Sequence, residues 1–331
     1  MRNMKIFRHF AKLYPIVFQI KNYASYGQCF PMSKPNHLIC FKQWTAEMVM
    51  NIISSAINLK YCYKDTHCKR MNVLQDCKIM VLQEVNEPVL NMAVSKAATL
   101  LGAYDCSIID HVIWNQDYNG SIFSYMADAI FVATSTHHCI QRFANQATVP
   151  VMCMRSRTHA SIQALSTIMA IIEEFGEMRC LNIGFIGPPH PVLNSYLLLC
   201  PMLGANIKFC CCCPKCPVTP LLYKASKELK DTTHTDVTTC KEKCEVLKET
   251  DVVIAGPTTE KKEKIQYFTF TVKDIQCGCR PHWIFFHTCP RGAEVMDDLF
   301  YHENTRTFKC FENMQFIAAA LMANGVKGHI F

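Results

Sequence analysis

Beyond residue 43, apolar side chains recur at Trp44, Met48, Ile52, Ile53, Ile57 and Leu59. This is the i, i+3, i+4 rhythm of one helical face, and Thr45 stands where it caps that helix. A continuous apolar run, KIMVL at 78–82, predicts a buried strand, and 88–101 predicts a helix closed by Gly102. Strands follow at 129–133 and 149–154, each set between helical stretches, and 158–175 reads as one long apolar helix. A second series then begins: a strand at 181–186, a GPPHP turn, a helix over 192–203 ended by Gly204, and a strand at 207–212. The polar stretch 224–248 reads as helix and loop, DVVIA at 251–255 and WIFF at 283–286 as strands, and 312–323 as a terminal helix. Such alternation predicts an α/β fold with parallel sheets, the second series being a doubly wound βαβ unit. The boundary between the two halves falls within 160–178.

With 331 residues, half of them hydrophobic, the chain has material for two ordinary cores, which excludes disorder and a small disulfide scaffold. No run approaches the roughly 18 apolar residues of a spanning helix, so no membrane partner is expected. The net charge of +7 changes the picture only until it is mapped. Residues 1–46 carry seven Lys/Arg and no acid, and the remainder holds 27 of each sign. A body without net charge offers no general basic surface for phosphates, so no nucleic-acid partner is expected. The leader itself, with Arg2, Lys5, Arg8 and Lys12 interleaved among Ile6, Phe7, Phe10 and Leu13, has the composition of a mitochondrial transit peptide over residues 1–33.

Twenty-one cysteines is a high and odd number, and behind such a leader they read as reduced thiols. CCCCPKC contains a CxxC at Cys213 and Cys216, whose partner pair for zinc would be Cys240 with Cys244 or Cys277 with Cys279. The competing reading is that Cys210 to Cys212 pack as small hydrophobes at the end of a buried strand. The expectation is no metal and no cofactor.

From Leu38 to Val326 the order of segments and several strings resemble the ornithine/aspartate carbamoyltransferase family. These are FKQWTAEMVMNIISSAINLK, LLGA at 100–103, MADAIFVAT at 126–134, FANQATVPV at 143–151, IQALSTIMAI at 162–171, LNIGFIG, VVIAG at 252–256, and WIFFHTCPRGAEVMDDLFY followed by FENMQFIAAALM. The resemblance implies two doubly wound parallel-sheet domains linked by long helices. It implies a carbamoyl-phosphate-type domain over 34–165, an ornithine-type Rossmann-like domain over 166–305, and a terminal helix over 306–331 packing back on the first. It also implies a trimer of an enzyme that makes citrulline from carbamoyl phosphate and ornithine.

The positions that would carry that chemistry are substituted. Carbamoyl phosphate is a dianion, and a site for it needs arginines and backbone N–H groups at a helix N-terminus. The family's Ser-Thr-Arg-Thr-Arg string falls on Glu87, Pro88, Val89, Leu90 and Asn91. Asn86 stands where it caps that helix, and Glu87 gives the helix its own anion. The second arginine position is Ala133. The His-Pro-x-Gln motif falls on Ala160, Ser161, Ile162 and Gln163, with only the glutamine retained; His159, one place away, reads as a capping or surface residue. The amino-acid side fares alike: Pro191 replaces the turn asparagine, Gly256 the aspartate, Met314 the arginine of the last helix. In HTCP, Thr288 takes the cysteine position and Cys289 follows it, with His287 and Pro290 holding the loop. Arg155 and Arg157 are the nearby replacement cations. The sequence therefore predicts a mitochondrial-matrix, non-catalytic paralogue with a structural or interaction role, as a homotrimer or in co-assembly with an active homologue. The alternative is an active ornithine carbamoyltransferase.

Overall fold

The computed structural model describes residues 36–65, 70–112, 114, 116, 118–211, 218–257 and 269–331. The basic leader, Cys212, Cys213 and Cys216, and most of GPTTEKKEK lie outside the described residues.

Two parallel sheets carry the fold. The first contains β1 (Lys78–Gln83), β2 (Asp105–Asp110), β3 (Ala129–Ala133) and β4 (Val151–Arg155) in the order β2-β1-β3-β4. The second contains β5 (Asn182–Ile186), β6 (Asn206–Cys210), β7 (Val237–Cys240), β8 (Val252–Ala255) and β9 (Ile284–His287) in the order β7-β6-β5-β8-β9. All pairings are parallel, so each crossover needs a connecting segment over a sheet face, and helices supply most of them. Central strands such as AIFVA and VVIA are buried on both faces, which is why they read as unbroken apolar runs. The order reverses between β1 and β3 and between β5 and β8; crevices open beyond the carboxyl ends of strands at such reversals.

The helices are α1 (Ala46–Asp65), α2 (Pro88–Leu100), α3 (Asn119–Ser124), α4 (His137–Gln146), α5 (Ser161–Phe175), α6 (Pro191–Met202), α7 (Pro220–Thr233), α8 (Lys243–Leu247), α9 (Val272–Gly278), α10 (Asp297–Phe300) and α11 (Thr307–Lys327). Thr45 Oγ1 accepts the Met48 N–H at 3.2 Å and so starts α1. Residues Ile162, Ala164, Leu165 and Ile168 to Ile171 of α5 are all closed to solvent, because α11 covers one side of the helix and α1 and α6 reach it as well. The chain end is tied to α1, where Asn58 donates to the Phe331 carbonyl and Ser55 accepts the Phe331 N–H. Among the described residues no helix is long and apolar enough to cross a membrane.

Several boundaries differ from the sequence expectation, each for a local reason. The long helix begins at Ser161 rather than 158, because Ser156 Oγ takes the N–H groups of Thr158 and His159 and holds them in a turn. Asn86 does not cap α2: Glu87 is the N-cap residue, with φ −124° and ψ 73° and no side-chain cap bond. The terminal helix runs from Thr307 to Lys327, longer at both ends than 312–323, with Gly328 in the left-handed region closing it. Strands β2 and β7 are edge strands whose polar residues conceal them.

Candidate functional site

The carboxyl ends of strands from both sheets surround a cleft of about 690 Å³. The first sheet contributes Val85 and Glu87 after β1, Ala133 to Ser135 at the end of β3, and Arg155 to Thr158 after β4. The second contributes Pro189 to Pro191 and Asn194, around the start of α6, and Thr219. Polar bonds already join the two banks. Asn194 Nδ2 donates to the Thr158 carbonyl at 2.8 Å, and the buried Ser195 hydroxyl accepts the Ala160 N–H at 3.3 Å.

Glu87 places a carboxylate oxygen 2.6 Å from Arg155 Nη1, and this pair dominates the electrostatics of the cleft. Burial raises the Glu87 pKa above the ordinary carboxylate value, although Arg155 pulls in the opposite direction. A second carboxylate, Glu84, accepts from the Thr134 and Ser135 hydroxyls at 2.6 and 2.7 Å and from the Ser135 N–H at 3.0 Å. These bonds outweigh desolvation and hold its pKa below the usual range. Arg157 is exposed on the rim of the cleft. His190 is buried, and its pKa is pushed down to about 3, chiefly by loss of water and then by the charge of Arg155, so it adds no cation at neutral pH.

Helix N-termini ordinarily supply N–H donors to an anion. Here α2, α6 and α7, whose N-cap residues Glu87, His190 and Thr219 line the cleft, start with Pro88, Pro191 and Pro220, which have none. At α6 the next donors are taken as well: Val192 N–H goes to His190 Nδ1 at 3.2 Å and Leu193 N–H to the His190 carbonyl at 3.0 Å. At α2, Asn91 N–H goes to the Glu87 carbonyl at 2.9 Å.

Of the substituted positions, the cleft brings together Glu87, Ala133 and Pro191. Val89 projects into solvent, Leu90 is buried, and Asn91 turns inward to donate to Gln83 Oε1 at 2.7 Å while its own Oδ1 has no hydrogen-bond partner. Ala160 is the buried N-cap residue of α5. Gln163 Nε2 donates to the Thr288 carbonyl at 2.8 Å, which commits the retained glutamine to the loop after β9. Thr288 is buried with its hydroxyl unpartnered. Cys289 N–H donates to His287 Nδ1 at 3.0 Å, and burial pushes the Cys289 thiol up to about 11, far from a thiolate nucleophile. His287 Nε2 meets Glu294 Oε1 at 2.8 Å, both side chains closed to solvent, so the imidazole braces this loop. Gly256 lies against Gly187, and Met314 sits in the core between helices.

His159 is neither a cap nor a surface residue: it is 3% exposed in the turn before α5. Sequence reasoning also did not anticipate Glu84, His190 and Asn194 in or beside the cleft, nor the convergence of Cys40, His137 and His159. Separations of tens of residues leave no spacing to read. Among the described residues these last three are the one group of metal-type side chains that meets, and neither Cys240 with Cys244 nor Cys277 with Cys279 belongs to such a group.

The chain is similar in sequence and fold to known proteins. A family model described as the Asp/Orn binding domain of aspartate/ornithine carbamoyltransferase matches residues 180–324. The mitochondrial ornithine carbamoyltransferase of Aquarana catesbeiana is 23% identical over 315 residues, covering 90% of this chain and 89% of that one. The mitochondrial ornithine transcarbamylase of Gallus gallus is also 23% identical, with 88% and 86% covered. Among solved structures, the ornithine carbamoyltransferase from Pyrococcus furiosus superposes with a TM-score of 0.83 at 20% identity, covering 91% of this chain and all of that one. A mitochondrial ornithine carbamoyltransferase from Coccidioides immitis gives 0.81, also at 20% identity, over 90% of this chain and all of that one. These superpositions show a shared fold.

Proposed function

We propose that the chain is a divergent, non-catalytic member of the aspartate/ornithine carbamoyltransferase family with a structural or interaction role, a reading that the family match and the similar proteins support. The observation that carries this reading is the Glu87 carboxylate 2.6 Å from Arg155 in the cleft. A carbamoyl phosphate molecule needs unpaired cations and free N–H donors at one place. The cleft instead offers Arg155 already paired with a protein carboxylate, Arg157 out on its rim, a neutral histidine, and three helices that begin with proline.

Magnitudes support the loss. A hydrogen bond to a charged group contributes about 1.5–3 kcal/mol, so the absence of two arginines weakens phosphate binding by at least about a hundredfold. Carbamoyl transfer then needs electrophilic contacts to the carbamoyl oxygen and the leaving phosphate, and Gln163, bonded to the Thr288 carbonyl, is not disposed to supply them.

The transit-type leader and the mitochondrial names of the frog and chicken relatives support a mitochondrial matrix location for this chain. Self-association as a trimer, or co-assembly with an active homologue, is the role we assign to the retained fold. Light scattering on the chain, alone and mixed with such a homologue, tests it; monomer under both conditions removes it. For the catalytic question the experiment is titration calorimetry of carbamoyl phosphate at low salt, with citrulline formation from ornithine assayed on the same folded sample. No heat and no citrulline are expected. Micromolar binding with turnover would overturn the reading in favour of an active ornithine carbamoyltransferase.

A further inference from the structure

Beside the cleft, Cys40, His137 and His159 come together from three separate elements: the loop ahead of α1, the first residue of α4, and the turn before α5. Their sulfur and nitrogen ligand atoms lie within 4.8 Å of one another. Some point then lies no more than about 2.8 Å from all three, against about 2.0–2.3 Å for zinc bonds to nitrogen and sulfur. Small side-chain rotations close that gap. The imidazole rings are 5.2 Å apart, centroid to centroid, and edge to face, so they do not stack against each other.

Hydroxyls stand behind both rings: Ser156 Oγ lies 3.1 Å from His137 Nδ1, and Ser195 Oγ lies 3.3 Å from His159 Nδ1. Outer partners of this kind orient metal-bound histidines, and with Nδ1 so engaged, Nε2 is the other ligand atom of each ring. His159 is closed to solvent, and Cys40 and His137 are half-buried, so the three side chains meet out of bulk water.

We propose that Cys40, His137 and His159 form a binding site for a borderline divalent cation of the zinc class, through one thiolate and two Nε2 atoms, with water in the fourth position. One thiolate with two imidazoles suits zinc over magnesium or calcium, which prefer oxygen.

The test uses the full chain under reducing conditions, stripped with chelator and reloaded with zinc. Because the chain has 21 cysteines, the readout is a difference between variants. The wild type is expected to retain one more equivalent of zinc than Cys40→Ser or His137→Asn, and Cys213→Ser/Cys216→Ser to retain that equivalent. Cobalt in place of zinc is expected to give a thiolate charge-transfer band that Cys40→Ser loses. Should a variant fail to fold, alkylation of the wild type read by mass spectrometry replaces it, with zinc protecting Cys40. Equal zinc in folded Cys40→Ser and wild type, or equal alkylation of Cys40 with and without zinc, would overturn the proposal.

Discussion

Lys60 Nζ on α1 and Glu173 Oε1 near the end of α5 meet at 2.8 Å, with only 7% and 8% of their side chains exposed. Asn313 of α11 completes the group, accepting from Lys60 at 2.7 Å and donating to Glu173 at 2.9 Å, so one polar knot joins three helices. Removing one partner of a buried pair strands the other charge and costs about 3–5 kcal/mol. Lys60→Met is expected to destabilise the chain toward the lower end of that range, because Lys309 stands 3.5 Å from Glu173 and remains. Urea unfolding measures it; a change below about 1 kcal/mol would mean that the pair is solvated.

Glu87→Gln removes the carboxylate that occupies Arg155. Anion binding in the cleft is expected to rise by about tenfold or more, worth about 1.4 kcal/mol or more, without citrulline formation. Titration of inorganic phosphate at low salt into wild type and variant checks it, and equal binding by the two would show that the pair is not what excludes phosphate.

His190 makes stability pH-dependent. Its Nδ1 accepts the Val192 N–H at the start of α6, which an imidazolium cannot do, and burial depresses its pKa from 6.5 to about 3. In that window the unfolded chain binds more protons than the folded one, so this contribution is complete above about pH 6.5 and is lost as pH falls toward 3. The expected slope from this group is about 1.4 kcal/mol per pH unit. His190→Asn keeps a capping acceptor without titrating, so its urea midpoint is expected to fall less steeply than that of the wild type between pH 6 and about 4. Parallel profiles would assign the acid sensitivity elsewhere.

Gly187 admits no side chain. A Cβ there would stand 2.7 Å from Gly256 Cα and 2.9 Å from Gly256 N, both backbone atoms on the neighbouring loop. Gly187→Ala is expected to cost about 1–3 kcal/mol through backbone displacement. Gly256→Asp places there the residue that the resemblance implies; its Cβ meets Phe185 at 3.1 Å, so the variant is expected to lower the melting temperature. Calorimetric melting of both variants decides, and unchanged midpoints would show that the two loops separate easily.

The buried strands and long helices were legible because burial on both faces leaves continuous apolar runs, as in AIFVA of β3 and VVIA of β8. Asp105, Ser107 and Asp110 in β2 and Thr238 and Thr239 in β7 defeated the same reasoning, since an edge strand is specified by pairing to a neighbour more than by its own hydrophobicity. The residues standing at the positions that the resemblance implies could be read from strings alone. Their replacement contacts could not, because Glu87 and Arg155 are 68 residues apart and Gln163 and Thr288 are 125 apart. Cys40, His137 and His159 show the same limit, each sitting in a segment that reads as a loop or a helix end.

The bonds from Asn194 to Thr158 and from Ser195 to Ala160 give the cleft a mechanical character of its own. A receptor that grips and releases a small guest needs jaws whose contacts are supplied by the guest, so that an empty pair springs apart. Here protein groups themselves bridge the jaws, and separating them breaks bonds at the starts of α5 and α6. Amide exchange at Ala160 should then follow the stability of that seam.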